Sequence, residues 1–201
     1  MKLIIPEDLN EISLGQMMEL GQLDKQEVDE VIKAKNIIKL LVKNVDDSNI
    51  DKIKIADVLV LYKKLCAMTN VQTKLIKRVS LEGKKYGFNP DLNSISTGEF
   101  MDIDHLCKEL DKNLHLIMAI LYREVTKEGE GKYTIEKYNG EIQERADLFK
   151  KKMPASVAQS CLVFFYNLGS SYLSNTLESL KEDNQIKKVL SLVRNGDGIP
   201  S

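Results

Sequence analysis

Apolar residues recur every three to four positions along most of the chain, the spacing of helices that bury one face. The stripe Val28, Val31, Ile32, Ile38, Leu41 and Val42 predicts a helix over 26–43, and Val58, Leu59, Leu61, Tyr62 and Leu65 predict another over 55–68. Ser13 is placed to cap a helix over 14–23, its hydroxyl accepting from a first-turn amide. Further helices are expected over 97–110 and, after Asn139-Gly140, up to Lys152. Leu114 to Leu121 is almost wholly apolar, so it should be the central core helix. Pro154 suits the first turn of the longest helix, whose stripe is Val157, Cys161, Phe164, Phe165, Leu168, Tyr172 and Leu177. A last helix is expected over 185–193, before a flexible tail at 194–201.

Two stretches carry β character. Residues 74–81 and 84–88 flank Glu82-Gly83, and 122–126 and 132–138 flank Glu128-Gly129-Glu130-Gly131. Both read as hairpins, the second as a two-stranded ribbon projecting from a helical body. The fold expected is therefore mainly α: a bundle of about seven helices with one or two short β-hairpins. A single domain over 1–193 is the simplest organisation, with two halves, 1–70 and 91–193, around a hairpin near 74–88 as the variant.

One pattern occurs twice. Asp8 to Leu23 and Asp91 to Leu106 share the residue type at eight of sixteen positions, in the form D-L-N-x-I-S-x-G with a later Met and Leu, and Pro6 and Pro90 lie just upstream. A duplicated unit would give a pseudo-symmetric protein. The other reading is one helix-start device used twice: an Asp/Asn turn, an apolar staple at Ile12 or Ile95, and a cap at Ser13 or Ser96. The similarity fades beyond Leu23 and Leu106, which favours the second.

Composition narrows the function classes. The 29 Lys+Arg against 30 Asp+Glu lack the basic surplus of a phosphate-backbone binder, so nucleic acid is not an expected partner. The longest apolar run, Leu114 to Tyr122 interrupted by His115, falls far short of the roughly 20 residues that cross a bilayer. The start, Met1 to Asp8, lacks a signal-peptide pattern. A soluble, intracellular chain without a membrane partner is thus expected. Cys66, Cys107 and Cys161 are odd in number and far apart, which suggests reduced, mostly buried thiols.

Catalytic signals are sparse. Phosphate-loop, dinucleotide, nucleophile-elbow and zincin motifs are missing from the sequence. Asp104, His105, Cys107 and His115 would form a metal site only if their helices fold back on each other. Asp102, Asp104, Glu109 and Asp111 have Lys108 and Lys112 beside them and read as a solvated face. Lys150-Lys151-Lys152 suits a helix C-terminus. Asp46-Asp47-Ser48-Asn49 lacks the glycine and final Glu of a calcium loop. No catalytic set, metal or cofactor is expected. Met17, Met18, Met101, Phe164, Phe165 and Tyr172, with Tyr166, are the adaptable and aromatic types that protein-binding grooves use, and are the candidate partner-binding residues.

Several segments resemble small proteins from the tail modules of tailed bacteriophages, among them tail assembly chaperones and virion-associated proteins. They are Ile5 to Gln16, Ser94 to Asp104, Ala119 to Val125 with Tyr133 to Tyr138, and Met153-Pro154 leading into Val163 to Gly169. The resemblance implies a protein made in a host bacterial cytoplasm that binds phage tail proteins. A tail assembly chaperone would hold the apolar helices of the tape-measure protein; the alternative is a permanent, virion-associated component of the tail tube or baseplate. It transfers no binding residue.

Overall fold

The computed structural model describes residues 3–68, 74–89 and 91–167. Helices α1 (Leu14–Asp24), α2 (Glu30–Leu41) and α3 (Ile55–Ala67) come first. Strands β1 (Arg78–Leu81) and β2 (Lys84–Phe88) follow, then α4 (Thr97–Cys107) and α5 (Leu110–Leu121). The chain continues through β3 (Tyr122–Gly129), β4 (Lys132–Ile135) and α6 (Gln143–Lys152). Residues 155–161 are helical and complete a first compact unit, 1–161; of the second, 162–201, the described residues 162–167 are helical. Tyr172, the helix expected over 185–193 and the tail lie outside the described residues.

The mainly helical bundle with projecting hairpins is wrong. The two hairpins are halves of one antiparallel sheet in the order β1-β2-β3-β4, so the fold is mixed α+β. The joint is β2 with β3, where Tyr86, Gly87 and Phe88 face Glu124, Arg123 and Tyr122. Helix α5 runs directly into β3, so burial of Leu121 carries straight on into Tyr122 and Arg123 and anchors the second hairpin inside the body. Periodicity identifies a strand but not its neighbour. Within the second hairpin the register shifts between Val125 and Lys127 of β3, leaving a bulge at Thr126.

Both hairpin tips need glycine. Glu82 and Gly83 have φ of 48° and 81°, and Glu130 and Gly131 have 49° and 78°. Such paired positive angles make the tight turn whose twist matches the strands, and Gly at the second position avoids the side-chain clash.

Two layers of core result. The first lies among α1, α2 and α3, where Ile12, Ala34, Ile38, Val42, Val58 and Leu65 are each no more than 3% exposed. In the second, α5 and α6 cover the sheet: Phe149 meets Tyr86 edge to face at 4.9 Å, and Phe88 meets Tyr122 at 5.4 Å. The lead into β1 is tied to this layer: the Tyr122 hydroxyl donates to the Ile76 carbonyl, and the Ile76 amide donates to Ser160 Oγ. As its lack of a polar face predicts, α5 is buried almost all round from Leu114 to Leu121. The expectation of mostly buried cysteines fails. Cys161 alone is buried; Cys66 and Cys107, in the last turns of α3 and α4, are exposed, and none of the three is in a disulfide.

Candidate functional site

The repeated pattern builds the same local structure twice. In each copy the Asp side chain accepts from the amide two residues on, Asp8 from Asn10 at 2.7 Å and Asp91 from Asn93 at 3.0 Å. In each the Ser and the residue three further on form a reciprocal capping box, Ser13 with Gln16 and Ser96 with Glu99. Each device satisfies orphan amides at a helix start, which is the physical content of the sequence match.

Their surroundings differ. The first copy is packed against the link between α6 and the following helix: the Leu14 amide donates to the Met153 carbonyl and the Ala155 amide to the Ile12 carbonyl, both at 2.8 Å. Ser156 Oγ donates to Asn10 Oδ1 at 2.6 Å. A Cβ on Gly15 would lie 2.8 Å from the Lys150 carbonyl oxygen, so only glycine allows this approach. The second copy has no such neighbour among the described residues.

Beside the second copy, Glu99 and Arg123 form a buried ion pair at 2.7 Å, with side chains only 7% and 5% exposed. The other Glu99 oxygen accepts from the Ser96 amide and hydroxyl. Arg123 lies 5.9 Å beneath the Tyr138 ring, and its Nε has no partner among the described residues. Tyr138 donates to the Asp102 carboxylate; burial, then that carboxylate, push its phenol up to about 12. Ser96, Glu99, Arg123 and Tyr138 line an open cavity of about 430 Å³ with Asp91, Ser94 and Lys137. The sequence reading missed the pair. Its signal was a lone Arg within the run Ala119 to Val125.

A second depression is apolar. A groove of about 370 Å³ is lined by Leu9, Met17 and Leu20 on one side and Ile37, Tyr62 and Leu65 on the other. Of the candidate binding residues, Met17 stands in its wall, whereas Met18 is 6% exposed and belongs to the core. Met101 is on α4, 64% exposed, away from the groove. In the second unit Phe164 and Phe165 meet edge to face at 5.4 Å; Phe165 is 36% and Tyr166 74% exposed. Within the first unit Met17, Met18 and Met101 thus have three different settings, a groove wall, the core and an exposed helix face.

Among the described residues no three His, Cys, Asp or Glu side chains cluster so as to hold a metal ion, and Asp104, His105, Cys107 and His115 are not brought together. Asp111 pairs with Lys25, and Glu109 with Lys112. Asp46 caps its own turn by accepting from Ser48. No helix among the described residues is long and apolar enough to cross a membrane.

His115, half-buried on α5, has no partner for Nδ1 among the described residues. Burial, then the Lys150 cation, hold its imidazole below the ordinary 6.5, while Asp147 and a hydrogen bond to the Lys112 backbone act the other way. Below 6.5 the folded form therefore binds fewer protons than the unfolded chain, so acidification costs stability through that window. Urea melts from about pH 7.5 to about pH 5 should show a steeper loss for the native chain than for His115→Gln. Equal slopes would remove His115 as the cause.

No family model, no curated protein and no solved structure matches this chain.

Proposed function

We propose that the chain is a non-catalytic bacteriophage tail-assembly protein, acting in the host bacterial cytoplasm, that binds apolar helical segments of a partner such as the tape-measure protein. The observation that carries the binding reading is the groove beside Met17: it is apolar, open, and walled by side chains of α1, α2 and α3. A groove of this size receives the anchor side chains of an amphipathic helix laid across it rather than a whole helix. Met17 adds an unbranched, polarisable wall that adapts to different anchors. The resemblance of Ile5 to Gln16 and of Ser94 to Asp104 to phage tail-module proteins supplies the setting.

Co-expression with the tape-measure protein of the same tail module tests this. A soluble complex is expected, weakened about tenfold by Gly21→Arg, a substitution at the groove's edge where a Cβ meets nothing within 4 Å, so the fold tolerates it. No complex and no gain in partner solubility would overturn the proposal. Stoichiometric presence in purified virions would assign the chain to the permanent tail or baseplate components instead.

A further inference from the structure

The two copies of the repeat pose a physical question. Ile12, Gly15 and Met18 are buried in the first copy, where the link formed by Lys150 to Ser156 packs on Ile12 and Gly15. Their identical counterparts in the second are Ile95, half-buried, Gly98, exposed, and Met101, 64% exposed, with Phe100 beside it at 63%. Among the described residues nothing packs closely enough on position 98 to call for glycine. A Cβ there meets nothing within 4 Å, and its φ is not in the left-handed region, whereas Gly in a helix costs about 0.5–1 kcal/mol relative to Ala. Among the described residues the Thr97 amide and the Ile95 carbonyl, counterparts of the Leu14 amide and Ile12 carbonyl that hold the link, have no backbone partner.

We propose that the second copy, from Leu92 to Met101, is a docking site for a segment of another protein with the chemistry of Lys150 to Ser156: a basic last helical turn followed by apolar-Pro-Ala-Ser. The first copy defines the contacts. The partner's apolar residue offers its carbonyl to the Thr97 amide, the residue after its proline donates to the Ile95 carbonyl, and its helix-end carbonyl rests on Gly98. Charge agrees with a basic occupant, because Asp102 and Asp104 are exposed on α4. A second copy of this chain is not the occupant: Met153 and Ala155 are fully buried in their own fold. The site is separate from the groove beside Met17 and does not rest on the function proposed for it.

The test uses the full chain and a labelled synthetic peptide with the sequence of residues 148–158, Leu-Phe-Lys-Lys-Lys-Met-Pro-Ala-Ser-Val-Ala. Saturable binding is expected, weakened about tenfold or more by Gly98→Ala. Hydrogen exchange should slow at 95–101 on binding. Gly98→Ala raises helix propensity, so lost binding cannot be put down to misfolding; Gly129→Ala serves as the neutral control. Three results would overturn the proposal: no binding, binding indifferent to Gly98→Ala, or protection at 12–18 in place of 95–101. Equal affinity for a peptide with Met153→Ser and Pro154→Ser would also overturn it, by reducing the attraction to the lysines.

Discussion

Arg123→Ala is expected to destabilise the protein by about 3–5 kcal/mol, the scale found when one partner of a buried ion pair is removed. Glu99 stays behind at 6% exposure with its Oε1 stripped of the Arg123 guanidinium, while Oε2 keeps only the Ser96 amide and hydroxyl. A carboxylate so placed is far from water and incompletely bonded. The loss is also structural, since Arg123 sits on β3 opposite Gly87 of β2, at the joint that turns two hairpins into one sheet. Urea unfolding checks it: the midpoint should fall with an unchanged slope. The first copy of the repeat suggests the compensating change. There Gln16, uncharged, closes the same capping box and donates to the Leu40 carbonyl at 2.7 Å. Glu99→Gln with Arg123→Met should therefore recover much of the loss, because a neutral cap needs no cation. If Arg123→Ala costs less than about 1 kcal/mol, the pair has the weight of a surface salt bridge and the account fails.

That pair also marks where the sequence stops being legible. Ser13 and Ser96 could be read as caps because capping is local: the hydroxyl, the amide it receives from and the Gln16 or Glu99 that answers it lie within four residues. The hairpin tips at Glu82-Gly83 and Glu130-Gly131 were readable for the same reason. The β2–β3 pairing was not, because Phe88 and Tyr122 are far apart in sequence, with α4 and α5 between them. A strand's alternation says which face is buried and nothing about which strand lies alongside. The second role of Glu99 was hidden by its first, since a Glu three residues after a Ser is already explained as a cap. Exposure was misjudged on short segments: Met17 and Met18 are adjacent and of one type, yet one lines a groove and the other is core. Met101, the repeat counterpart of Met18, faces water instead.

Phe149→Ala carries an expected cost of about 3–5 kcal/mol, from the lost transfer free energy of the ring together with the cavity left behind. The ring is fully buried and meets Tyr86 edge to face, so it fastens the last turn of α6 to the sheet. The consequence should travel further than the cavity. Immediately after Phe149, the Lys150 carbonyl rests against Gly15 and the Met153 carbonyl accepts from the Leu14 amide, so the same short stretch holds the start of α1. If Phe149 sets the height of this stretch, its removal loosens β2 and α1 together. Native-state hydrogen exchange distinguishes the cases. Faster exchange at 14–18 and 84–88 is expected along with that of α6. Faster exchange confined to 143–152 would show that the α1 contact is held by Met153 and Pro154 alone. Phe149→Leu, which keeps an apolar side chain and leaves a smaller void, should retain the α1 protection that Phe149→Ala loses.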